Sequence, residues 1–261
     1  MYRPDLDAFL LHLAAAGRAG TTIELRRWHL ERLFVWAEVP PFAITEDMIV
    51  SYMAQKGWAP ETRKSVRASI RSFYQWGVRT KRIKDDPSEN LPQVSVPMGV
   101  PHPTPTDVLD AALDAATPQV LLMLMLAAYA GLRRAEIAGL HSDDIVGDTL
   151  VITGKGGRTR NIPMHPQLVA ALEGHTGYIF PGKDNGHLSP DWVGRLMART
   201  LGEKNKWTAH SLRHRFATRA YAGQRDILTV QQLLGHTSVT TTQRYTEAPD
   251  DAKRRAVLSV A

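Results

Sequence analysis

The sequence predicts a mainly α-helical protein with one small antiparallel sheet, an α+β chain of two domains. Apolar residues recur at three- and four-residue steps through most of its 261 residues, often behind a Thr, Ser or Pro suited to opening a helix. In one place only, around GKGG, two short β-compatible runs are joined across a turn. The stretch DDPSENLPQVSVPMGVPHPTPTD is rich in Pro, has no helical period, and separates two blocks of helices. An apolar fraction of 43% is ample for a buried core in each block.

The first block, expected over residues 1–88, reads as four helices. DLDAFLLHLAAAG and TTIELRRWHLERLFVWAEV carry apolar residues at helical spacing, the second with Thr21 or Thr22 as its cap. Thr45 opens TEDMIVSYMAQKG, with Gly57 as the closing residue, and a fourth helix runs from Pro60 to about Arg82. On that helix Val66, Ile70, Phe73 and Gly77 share an inward face. Arg63, Arg67 and Arg71 recur on another face, joined by Lys64, Arg79, Lys81 and Arg82. A stripe of one sign repels itself, so solubility alone would favour mixed charges; these seven residues are the expected DNA-facing set.

Residues 89–105 form the expected linker, extended because each Pro fixes its own φ and restricts the residue before it. The second domain, 106–261, begins with a helix capped by Thr106 and an apolar helix from Pro118 to Gly131. Two strands, Asp144 to Thr153 and Arg158 to Pro163, then flank the GKGG turn. Ser189-Pro190 starts a helix through Arg199, Thr208 caps one carrying HSLRHRFATRAYAG, and Asp226 starts one ending at Gly235. The last segment, SVTTTQRYTEA, is Thr-rich and only weakly helical by propensity, so a short helix around Tyr245 is the least secured element.

Composition excludes several classes. There is no cysteine, hence no disulfide and no thiolate metal site. The start, MYRPDLDAFLLHL, lacks the parts of a secretory signal, and the most apolar run, Val120 to Ala130, is too short to span a bilayer. A cytoplasmic protein of a bacterial host cell, without a membrane partner, is expected. The net charge of +6 and pI of about 9.6 favour a polyanionic partner such as nucleic acid.

Five short strings, in order, supply what breaking a phosphodiester requires: a nucleophile, cations for the non-bridging oxygens, and a proton for the leaving oxygen. Arg133 and Arg213 carry permanently charged forks that match two phosphate oxygens. His210 stands three residues before Arg213, so on a helix both share a face. Tyr245 is the candidate nucleophile. A phenol with an ordinary pKa of about 10 needs a base or a cationic field, and His210 is the candidate base. His236 follows the helix-ending Gly235 and, with the two arginines, lowers the cost of the phenolate. Lys155, in the turn between strands, is the candidate general acid for the departing 5′ oxygen. His210 and His214 are four apart, but HSLRH lacks the Glu of a metalloprotease motif, no third ligand is evident, and Arg213 opposes a cation. No metal and no cofactor are expected.

Arg, Lys, His-x-x-Arg, His and Tyr in this order resemble the tyrosine recombinase (phage integrase) family, over about Ala127 to Glu247. GLRRAEI is similar to the family's first-arginine motif, which selects Arg133 over Arg134 and implies that Glu136 orients the site without touching phosphate. GKGG resembles the hairpin with the catalytic lysine, HSLRH the His-x-x-Arg box, and LLGH with RYT the last His and the Tyr. The resemblance implies a helical core-binding domain followed by a catalytic domain. It further implies a 3′-phosphotyrosyl intermediate, a homotetramer on double-stranded DNA recombination sites formed from free monomers, and strand exchange through a Holliday junction. Accessory DNA-bending or directionality proteins, and docking of the tail after Tyr245 on a neighbouring protomer, belong to the same expectation. No arm-site-binding module is expected ahead of the first helix, a compact form shared by simple integrases and by chromosome-dimer and plasmid resolution enzymes. Two other readings use much the same residues: a monomeric type IB topoisomerase, and a non-catalytic DNA-binding regulator on the same scaffold.

Overall fold

The structure is a computed structural model that describes residues 2–55, 57–97, 102–154, 157–202 and 207–235. By its internal packing the chain divides into two compact units, Met1–Met98 and Gly99–Ala261.

In the first unit four helices, α1 (Arg3–Ala15), α2 (Gly20–Ala37), α3 (Glu46–Met53) and α4 (Pro60–Arg79), surround an aromatic core. Phe73 is fully buried there, edge-on to Phe9 and Phe34 and stacked on Phe42. Tyr74, buried beside it, donates its hydroxyl to the Pro41 carbonyl at 2.8 Å, so the phenol is not left unpaired, and burial pushes its pKa up. Val66, Ile70, Phe73 and Gly77 do face inward, as their spacing requires.

The helix ends differ from expectation in instructive ways. Thr45 caps α3 through the Met48 amide at 3.3 Å, but α3 closes at Ala54, before Gly57. α2 begins at Gly20, ahead of both threonines, and its flanking residue Ala19 offers no side-chain cap. α4 stops at Arg79 because Lys81 turns into the left-handed region, φ 59°, and Arg82 N–H returns to the Gly77 carbonyl. Chain beyond α4 has no regular secondary structure, yet Leu91 is buried in the first core and Arg67 donates to its carbonyl at 2.8 Å. The expected linker therefore starts as part of the first unit's packing.

The second unit is built around α6 (Pro118–Tyr129), whose residues from Leu122 to Ala128 are all buried. Around it lie α5 (Thr106–Ala115), α7 (Arg134–Ala138), α8 (Pro166–Leu172), α9 (Pro190–Thr200), α10 (Ala209–Gln224) and α11 (Ile227–Leu234); α6 packs directly on α5, α7, α8, α9 and α10. Ser189, Thr208 and Asp226 cap α9, α10 and α11 through main-chain amides, as the sequence indicates. Thr106 does not cap α5. It is the first residue of that helix, and its hydroxyl accepts from Arg215 and Arg219 of α10 instead.

The sheet is three-stranded and antiparallel, in the order β1 (Ile145–Val146), β2 (Thr149–Thr153), β3 (Thr159–Pro163). What reads as one strand from 144 to 153 is a tight hairpin, since Gly147, φ 61°, reverses the chain between β1 and β2. A short extended piece, β4 (Pro181–Asp184), stands apart from that sheet. Pairing of β2 with β3 sets Leu150 opposite Ile162 and Ile152 opposite Arg160, so period-two alternation puts Arg160 on the same face as buried Ile162. Among the described residues no helix is long and apolar enough to cross a membrane.

Candidate active site

One carboxylate organises the described part of the site. Arg133 precedes α7 in extended backbone, and its main-chain N–H donates to Glu136 Oε2 at 2.8 Å, the N-terminal capping bond expected of Glu three residues into a helix. Its guanidinium donates to the other oxygen, Oε1, at 2.8 Å. Arg160 grips both oxygens from β3, Nη1 to Oε1 at 2.9 Å and Nη2 to Oε2 at 2.7 Å, a bidentate ion pair whose two side chains are each 8% exposed. Arg213 reaches the same carboxylate from α10, Nη1 lying 3.9 Å from Oε2. Burial raises the Glu136 pKa, but hydrogen bonds and charge from Arg160 and Arg133 outweigh it and hold the carboxyl at about 2. With three guanidinium groups around one carboxylate, the pocket is left with excess positive charge, the condition for attracting a phosphodiester.

Arg213 is nearly buried and fixed by main chain, donating to the carbonyls of Gly131 and Leu234. Gly131 has φ 65°, and a Cβ there would lie 2.4 Å from Phe216 Cδ1, so only glycine lets this turn sit against α10. The turn before Arg133 and the end of α11 are thereby clamped to one arginine. Each terminal nitrogen of a guanidinium carries two hydrogens, of which a carbonyl bond uses one.

His210 is exposed on the first turn of α10. That turn is pinned by Thr208, which caps His210 N–H at 3.2 Å, and by Ser211, whose hydroxyl lies 2.8 Å from Thr104 Oγ1. His214, one turn on, is 7% exposed and its Nε2 lies 2.9 Å from His210 Nε2. The main-chain N–H of His102 donates to His214 Nδ1 at 3.2 Å. An amide is always the donor, so His214 carries its proton on Nε2 and donates it to His210. His210 Nε2 is thereby the acceptor in this contact.

Lys155, His236 and Tyr245 lie outside the described residues. Gly154, just before the first of these, and Gly235, just before the second, are described. Gly154 N–H donates to Arg158 O at 2.8 Å between the two arms of the hairpin, and α11 ends at Gly235 with φ 61°, one residue before His236 in sequence.

A family model described as the phage integrase family matches residues 105–251, more than half of the chain. The tyrosine recombinase XerC of Neisseria meningitidis is 28% identical over 284 residues, covering 96% of this chain and 92% of its own. XerC of Myxococcus xanthus is 31% identical over 216 residues, 72% of each. The chain belongs to the phage integrase family. It is thus a tyrosine recombinase, an enzyme that cleaves and rejoins DNA. The crystal structure of a lambda integrase (75–356) dimer bound to a COC′ core site aligns with a TM-score of 0.73, covering 92% of this chain and 96% of that one; at 20% identity it bears on the fold alone.

In this integrase-family chain Arg133, Glu136 and Arg213 come together in the second unit, with His210 three residues before Arg213 on α10, while the expected DNA-facing residues of α4 divide. Arg63 donates to the Met53 carbonyl at 3.0 Å, Arg67 to Leu91, and Arg82 pairs with Asp5 at 3.0 Å and stacks over Trp76. Those three serve the first unit's own packing. Arg71 is half-buried and lines a surface cleft with Arg79, Lys84 and Asp86, whereas Lys64, Arg79 and Lys81 are exposed. Arg160 is the functional-site residue that motif reading passes over. Its signal is there in TRNIP: strand alternation sets an arginine on the core face, where a buried cation demands a carboxylate.

Proposed function

We propose that this chain is a site-specific recombinase that exchanges DNA strands through a 3′-phosphotyrosyl intermediate. The observation that carries the reading is the convergence of Arg133 and Arg213 on Glu136, two permanently charged forks held at one point by bonds that leave little freedom. Such preorganised cations stabilise charge developing on the non-bridging oxygens at no cost of reorientation. The family match also spans the positions of all six candidate residues, Arg133, Lys155, His210, Arg213, His236 and Tyr245.

In the proposed step Tyr245 attacks phosphorus in line, its phenolic proton passing to His210, while His236 and the arginines offset the negative charge. The bond from phosphorus to the 5′ oxygen breaks, and Lys155 protonates that oxygen. The new phosphotyrosyl bond keeps the energy of the old one, so a 5′ hydroxyl from another strand reverses the step without ATP. Double-stranded recombination sites are the proposed partners, with four protomers on two duplexes passing through a Holliday junction.

The test is to incubate the purified chain with sheared genomic DNA of its source, denature it, and sequence the strands that remain attached to protein. Attachment at 3′ ends within one recurrent sequence is expected. No attached DNA would overturn the phosphotyrosyl intermediate, and attachment scattered without a recurrent sequence would favour a relaxing enzyme of the topoisomerase kind.

A further inference from the structure

We infer that Arg160 is a positioning residue for strand cleavage, a bracket that joins three separately delivered parts of the site into one body. This rests on the function proposed above. The guanidinium of Arg160 spends its donors in two directions. Nη1 and Nη2 hold both oxygens of Glu136, which orients Arg133 by main chain and side chain together. Nε donates to the carbonyl of Leu233 at 2.8 Å, in the last turn of α11. The strand that carries Arg160 is the second arm of the hairpin in which Lys155 lies five residues upstream, and His236 follows Leu233 by three.

The end of α11 is also shaped to this side chain. A Cβ on Gly235 would lie 3.0 Å from Arg160 Cδ and 3.3 Å from Nη1, so the glycine lets the helix end rest directly on the arginine stem. Arg213 holds the next carbonyl, Leu234, from the opposite element, α10. Two arginines thus secure the last turn of α11 through consecutive carbonyls, and both converge on Glu136. Arg213 is expected to meet phosphate. Arg160, 8% exposed, with Nε on Leu233 and both terminal nitrogens on Glu136, acts through its neighbours.

Lysine cannot reproduce this. A single ammonium presents a point charge, and it cannot grip both carboxylate oxygens and a carbonyl at fixed angles. Misplacing reacting groups by about 1 Å is enough to cost on the order of 100-fold in rate. Arg160→Lys should therefore keep the ion pair with Glu136 and lose the tie to α11.

The experiment compares the full chain with Arg160→Lys and Arg160→Gln on the duplex recovered by strand capture, nicked beside the cleavage position so that attachment is irreversible. The dissociation constant for that duplex should stay within about 3-fold for Arg160→Lys, while covalent attachment at saturating DNA slows about 100-fold. Equal falls in affinity and rate, or an unchanged rate, would overturn the proposal. Hydrogen exchange on the DNA-free chain supplies the second measurement, needed if Arg160→Gln fails to fold. Faster exchange at residues 227–235 and 149–163 of Arg160→Lys, with residues 118–129 unchanged, is expected; unchanged exchange at 227–235 would overturn the bracket. Should the unaltered chain form no covalent complex, it is the proposed phosphotyrosyl intermediate that fails, and exchange still decides whether Arg160 couples these elements.

Discussion

Glu136 is the residue on which most of the described site depends, and its ionisation is measurable. Its carboxyl is held at about 2 against an ordinary 4.5, so the folded state favours the charged form. A depressed carboxylate contributes its stability fully above the unfolded value and loses it as pH falls through the folded one. The window is therefore from about pH 4.5 down to about pH 2, and the difference is worth about 3 kcal/mol. Glu136→Gln should lower unfolding free energy by roughly that amount at pH 7, and its gap from the unaltered chain should close as pH drops through this window, in urea melts at successive pH values. A gap independent of pH would mean that Glu136 acts by packing alone. The motif made Glu136 visible in the sequence because GLRRAEI places it three residues past Arg133, a helical step. Arg160 was less visible because its two partners, Glu136 and Leu233, lie 24 and 73 residues away, and only folding brings them together.

At the level of elements, α4 shows how far a charge pattern can be read. The sequence places seven basic residues in and just beyond that helix, but it cannot say which will find an internal partner. Arg63 and Arg67 are within reach of carbonyls at Met53 and Leu91, which no local spacing announces. Replacing both with Ala should destabilise the first unit by about 1 to 3 kcal/mol per lost charged bond, read by urea unfolding. Replacing Lys64, Arg79 and Lys81, which are exposed, should leave stability nearly unchanged and flatten the salt dependence of duplex binding by about 2 to 3 in slope. An unchanged slope would count against α4 as a DNA-facing element. Helix starts capped by Thr45, Ser189, Thr208 and Asp226 were legible because a cap is a local bond. The reversal at Gly147 was passed over although Gly147-Asp148 is a two-residue turn dipeptide, because the first arm, Ile145–Val146, is too short to read as a strand by itself.

For the whole molecule, two cores imply two units able to fold separately, and the structure says where the first must end. Composition puts a linker at 89–105, yet Leu91 is buried and its carbonyl bonded to Arg67. A fragment of residues 1–97 should unfold cooperatively, and one of residues 1–88 should be less stable by about 2 to 4 kcal/mol, the usual cost of removing a buried Leu. Equal stability would place Leu91 outside the cooperative unit. Later in the same stretch Thr104 is 1% exposed, bonded to Ser211, and its carbonyl accepts from Arg215, so this end of the expected linker belongs to α10's packing. Pro-rich composition marks absence of regular structure, which is not absence of burial. Strand cleavage as proposed turns on one bond. Covalent complexes formed on the captured duplex, trimmed with nuclease and protease, should yield one peptide that retains nucleotide, attached at Tyr245 through a 3′ phosphate, and Tyr245→Phe should yield none while still binding the duplex. An adduct on another residue, or one joined through a 5′ phosphate, would contradict it.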